Sequence, residues 1–141
     1  WLRDVLPALN VENDVVVLSV QHFEFDQYTP TPAQQTDFRT WAGLGADVVL
    51  GTQSHFPQVF EFAAGTEGDA LLHYGLGNIY FDQQFFGGVR FFIDQLFIYE
   101  GRLLTVDLFT GIIEDQGRPR SMTPEERENF LFLILTQYGG M

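Results

Sequence analysis

The chain has 141 residues, 45% of them apolar and 16% aromatic, which suits a single packed domain. Nineteen acids stand against seven arginines, with no lysine, so the net charge of -12 argues against a nucleic-acid partner and an anionic membrane surface. The lack of cysteine excludes disulfides, thiolate metal sites and cysteine nucleophiles, and no apolar run reaches the roughly 18–20 residues of a membrane span.

Trp1, Leu2, Val5, Leu6 and Leu9 recur at helical spacing, with Pro7 expected near a bend or first turn. The sequence starts at Trp1, inside this pattern and without a basic leader, so it reads as a piece of a longer protein. Val15 to Val20 is an apolar run, broken only by Ser19, expected to form a strand buried on both faces. It leads into Gln21-His22-Phe23-Glu24-Phe25-Asp26. After the stiff Thr29-Pro30-Thr31-Pro32, a helix is predicted to start at Pro32, capped by Thr29 or Thr31, and to reach Gly45. Ala46 to Leu50 is the next strand. Strand, helix and strand so closely spaced form a βαβ unit, whose parallel strands would bring His22 and His55 to one sheet edge.

Val59 to Phe62 and Ala70 to Tyr74 read as strands around the turn Thr66-Glu67-Gly68-Asp69. Gly75-Leu76-Gly77-Asn78 and Phe86-Gly87-Gly88 are glycine-rich connections. Phe91 to Tyr99 and Arg102 to Phe109 form a hairpin about Glu100-Gly101. Gln116 to Arg120 is expected to be a loop, because of its Gly and Pro. Thr123-Pro124-Glu125-Glu126 is a capping box, opening a helix through Phe130, Leu131, Ile134 and Leu135 that ends at Gly139-Gly140.

The chemistry-bearing residues gather after the strands. His22 follows the first strand. His55 lies in Gly51-Thr52-Gln53-Ser54-His55-Phe56-Pro57-Gln58, directly after the second. Imidazole and carboxylate suit divalent metals, and the Gln53 carbonyl suits a hard cation or a substrate contact. Ser54 and His55 are adjacent, so on an extended segment they point apart and do not form a Ser–His pair. Asn78 closes a glycine-rich turn, where it orients the loop or contacts substrate. His73 falls within a strand and reads as structural, and Glu24, Asp26 and Asp82 are further carboxylates near the same edge.

The loop Gly51 to Gln58 resembles the last metal loop, roughly Gly-x-His-Pro-His, of the capsule-synthesis (CapA, poly-γ-glutamate biosynthesis) branch of calcineurin-like metallophosphoesterases. Gln53 stands at the first histidine and His55 at the second. Gln21 to Asp26 is similar to that family's His-Trp-Gly-x-Glu segment. Tyr74-Gly75-Leu76-Gly77-Asn78 is similar to its Tyr-Ser-Leu-Gly-Asn signature. The order of elements from Val15 to Leu135, including the late hairpin and the tail Arg118 to Arg127, follows the same family.

The resemblance implies a partial metallophosphoesterase-like αββα sandwich, of the α/β class: a parallel βαβ unit, antiparallel strands, a hairpin and a carboxyl-terminal helix. Residues 1–141 would be the carboxyl-terminal part of one such domain, without an internal boundary. His22 and His55 would be catalytic and metal-binding residues, Gln53 and Asn78 substrate-binding, with a divalent cation as cofactor. The parent would be a metal-dependent hydrolase or other enzyme of a polyanionic polymer in the cell envelope. The early Asp and Asn-His motifs of the family are absent from these residues, and Asn78 is followed by Ile79. Two cations about 3.5–4 Å apart need more ligands than three histidines supply, so this segment alone is expected to be inactive. It would need the amino-terminal half of the domain, or a second copy. The other readings are a non-catalytic binding or assembly subunit, favoured by Gln53, and a sugar- or peptide-binding domain, for which fifteen Phe and two Trp look more like core than a stacking platform.

Overall fold

A computed structural model describes residues 1–22, 26–82, 85 and 87–137. The chain is mixed α/β, with one four-stranded sheet, one three-stranded sheet and three helices among these residues. Helix α1 spans Leu2–Glu12 and buries Leu6. Pro7 lies inside it rather than at a bend or first turn, and Asn13 closes it through its side-chain amide to the Leu9 carbonyl (2.9 Å). Strand β1 (Val17–Val20) is shorter than the apolar run suggests, and it is not buried on both faces: Val17 is 48% exposed. The reason is topological. The first sheet runs β1-β2-β4-β3, which leaves β1 at its edge.

Helix α2 (Pro32–Gly43) starts as its sequence dictates. Thr31 Oγ1 accepts from the Gln34 amide and Gln34 Oε1 from the Thr31 amide, a complete capping box with Pro at the first helical position. Strand β2 (Val48–Gly51) pairs parallel with β1, setting Val20 opposite Gly51. Strands β3 (Phe60–Ala64) and β4 (Asp69–His73) form an antiparallel pair, and it is β4 that lies parallel beside β2. Side chains alternate across this sheet. Val49, Leu72 and Glu61 share the face toward α2, where Tyr74 meets Phe38 at 4.9 Å, its hydroxyl donates to Glu61, and Arg39 grips Glu61 through two 2.8 Å bonds. Leu71 and His73 face the other way.

The second sheet has the order β5-β6-β7, from Arg90–Tyr99, Arg102–Glu114 and Arg118–Ser121. β7 replaces the loop expected at Gln116 to Arg120. The turn ends by Gly117, and Pro119 is tolerated because β7 is an edge strand with no neighbour requiring its missing N–H. The sheets meet where the fully buried His73 bonds Asp94 of β5 (2.7 Å) and packs on Phe92 (5.0 Å). Helix α3 (Pro124–Gln137) adds Phe130 against Phe92 (4.9 Å) and the buried Ile134. Its capping box is formed, since Glu126 accepts from the Thr123 amide and Thr123 from the Glu126 amide. The expected helix stop at Gly139-Gly140 lies outside the described residues. Among the described residues, no helix is long and apolar enough to cross a membrane.

Candidate functional site at the carboxyl edge of the parallel strands

Parallel pairing of β1, β2 and β4 puts their carboxyl ends on one edge, where α/β sheets carry ligand sites. Two segments build that edge, the loop from β2 to β3 and the connection from β4 to β5. They are stitched together: Gln58 N–H donates to Gly75 O (2.8 Å), Leu76 N–H to Gly51 O (3.2 Å) and Phe92 N–H to Leu76 O (2.8 Å). Gly77 has φ +75°, and a side chain there would meet the Arg90 carbonyl at 2.3 Å, so only glycine lets this connection turn into β5.

His55 and Asn78, 23 residues apart in sequence, come together here. His55 Nδ1 lies 2.7 Å from Asn78 Oδ1, and Asn78 Nδ2 donates to the Gly88 carbonyl at 3.0 Å. The imidazole also packs on Phe81 at 5.0 Å. Next to it Phe56 stacks with Phe85 (5.6 Å), and the Gly88 amide closes a turn onto the Phe85 carbonyl (3.0 Å). Ser54 is buried, its hydroxyl donating to the Phe56 carbonyl (2.8 Å), so it shapes the loop that presents His55. Gln53 is half-buried on that loop.

His22 sits at the same edge but is held by α2. Its Nε2 meets Asp37 Oδ2 at 2.9 Å, and its ring is edge-on to Phe38 (5.7 Å) and Trp41 (5.9 Å). Its side chain is only 9% exposed. Asp37 escaped the sequence reading, although it lies next to Phe38 and four residues before Trp41, on the stretch of α2 that carries the aromatic packing. The Gly88 carbonyl escaped it too, because a backbone acceptor leaves no signature in residue type. Gln58 was missed as a hub: its side chain accepts from Gln34 (3.0 Å) and donates to the Gln27 and Thr29 carbonyls, fixing the segment after β1 onto α2. Asp26 and Asp82 are exposed, and Glu24 lies outside the described residues.

The donor chemistry at both histidines suits a divalent metal. A ligating imidazole commonly gives its other ring N–H to an acceptor that orients it, and Asp37 and Asn78 are such acceptors. The donor count does not suffice: among the described residues no group of three His, Asp or Glu is placed to hold a metal ion.

A mixed α/β sheet with histidine-bearing loops at one edge defines a class of architecture rather than a protein. Residues 2–83, more than half of the chain, match the family described as bacterial capsule synthesis protein PGA_cap, and the chain belongs to that family. The match takes in His22, Gln53, His55 and Asn78 and stops before β5, so the late hairpin and the Arg118 to Arg127 tail lie beyond it. No curated protein matches the chain.

Proposed function

We propose that this capsule-synthesis-like chain supplies part of a metal-assisted hydrolytic site acting on a polyanionic polymer of the cell envelope, with His22 and His55 as ligands. The observation that carries the reading is the pair of histidines at the ends of adjacent parallel strands, each with one ring nitrogen held by an orienting acceptor. A bound divalent ion would polarise a phosphoryl or acyl oxygen and lower the pKa of its water. The protein's own residues orient: α2 holds His22, the Asn78 amide holds His55, and the Phe56, Phe81 and Phe85 rings pack about the loop. Gln53 offers an amide carbonyl to a hard cation or a substrate oxygen. The net charge of -12 gives a polyanion little basic surface, which favours a cation as the link between polymer and protein.

The remaining ligands would come from residues other than those described here, so the test uses the full-length protein. Metal analysis should find near-stoichiometric divalent ion. His55→Ala and His22→Ala should each lower metal affinity at least about tenfold, with loss of polymer hydrolysis. A full-length protein that purifies without metal, whose capsule function survives both substitutions, would overturn this reading. It would establish the non-catalytic binding or assembly subunit that Gln53, in place of a histidine, favours.

A further inference from the structure

We propose that Asn78 is a positioning residue that sets the tautomer of His55, and that the Gly88 carbonyl dictates the choice. A carbonyl oxygen only accepts, so the Asn78 atom 3.0 Å from Gly88 O is the amide nitrogen. That fixes the amide's direction and turns its own oxygen toward His55 Nδ1, at 2.7 Å. The oxygen also only accepts, so Nδ1 carries the hydrogen. The neutral ring therefore has its lone pair on Nε2. The opposite amide orientation would set two acceptor oxygens against each other at Gly88 and forfeit that hydrogen bond.

The lock is a closed circuit. Phe56, adjacent to His55, stacks on Phe85. The Phe85 carbonyl accepts from the Gly88 amide, and the Gly88 carbonyl orients Asn78, which returns to His55. Both polar ends of the Asn78 side chain are thus engaged inside the protein, as an orienting role requires. The inference rests on the proposed function only in taking His55 as a site residue. Any ligand or proton that His55 handles is met by Nε2.

Long-range proton–nitrogen NMR of the imidazoles in metal-free full-length protein reads this directly, at an alkaline pH where the ring is neutral. His55 should show the Nδ1–H pattern. Asn78→Ala should shift it to a mixture or to the Nε2–H form. His73, buried between the sheets, reports in each spectrum whether the fold is intact. An Nε2–H pattern at His55 in the unsubstituted protein overturns the proposal without any variant, as does Asn78→Ala retaining the full Nδ1–H pattern beside an unchanged His73. The measurement involves neither metal nor turnover, so its failure is separate from failure of the hydrolytic reading.

Discussion

At the scale of the residue, Arg120 ties three elements into one charged cluster. Arg120 of β7 donates to Glu126 through two bonds of 2.7 and 2.8 Å and to Glu114 at 2.7 Å, clamping the start of α3 to the end of β6. Hydrogen bonding from Arg120, aided by the Thr123 amide, lowers Glu126 to about 2, and the Arg120 bond likewise lowers Glu114. A carboxylate whose pKa falls on folding binds protons more readily in the unfolded chain. Its contribution is therefore full above the ordinary glutamate value of 4.5 and is lost as pH drops toward about 2. Glu126→Gln should lower the melting temperature at pH 6 and flatten its decline between pH 5 and pH 2, as followed by circular dichroism. A decline as steep as that of the unsubstituted protein would show that the clamp does not govern acid stability. The pair is solvent-accessible, so the effect at pH 6 should shrink with added salt.

At the scale of the element, the parts that could be read in advance were those with local causes. Thr123 to Glu126 forms the capping box read from its residues, Thr31 rather than Thr29 caps α2, and both helices begin at the proline that follows. The βαβ unit was legible from periodicity, and with it the common edge of His22 and His55. What sequence could not give depends on partners far along the chain. Val15 to Val20 has the composition of a central strand but lies at the sheet edge, because among the described residues β2 is its one paired neighbour. Pro119 marks a loop in isolation and an edge strand once β6 is beside it. The site shows the same divide. His55 and Asn78 could each be picked out by residue type and position, whereas their mutual contact needs β4 and β2 paired and the Gly88 turn closed.

Gly51 makes the argument testable. A Cβ at Gly51 would stand 2.0 Å from the Tyr74 carbonyl oxygen, a backbone atom that no rotamer change can move away. Gly51→Ala must push β2 from the β4–β5 connection, at a cost of about 1–3 kcal/mol or more in urea unfolding, together with disturbed His55 resonances. A loss below about 0.5 kcal/mol would mean that the two segments are not in this close contact.

At the scale of the molecule, the two sheets are tied through His73 and Asp94, a buried link with an internal flaw. Both ring nitrogens of His73 are engaged, one by Asp94 Oδ2 at 2.7 Å and the other by the Gln58 carbonyl at 3.2 Å. Asp94 Oδ1, by contrast, is buried with no hydrogen-bond partner among the described residues. A buried polar pair repays its desolvation only when its remaining lone pairs are met, so this one should fix how the sheets dock more than it stabilises them. Removing one partner and removing both should then have opposite consequences. His73→Leu leaves the Asp94 carboxyl buried and unpaired and should cost about 1–3 kcal/mol in urea unfolding. The double variant His73→Leu/Asp94→Leu takes away the stranded carboxyl as well, and should recover most of that loss, because Phe60 and Phe92 already flank the site with apolar surface. If the double variant is no more stable than His73→Leu, the pair contributes net stability and its unmet oxygen is not a burden. If it recovers but its unfolding loses cooperativity, the pair's main contribution is to hold the sheets in a single register.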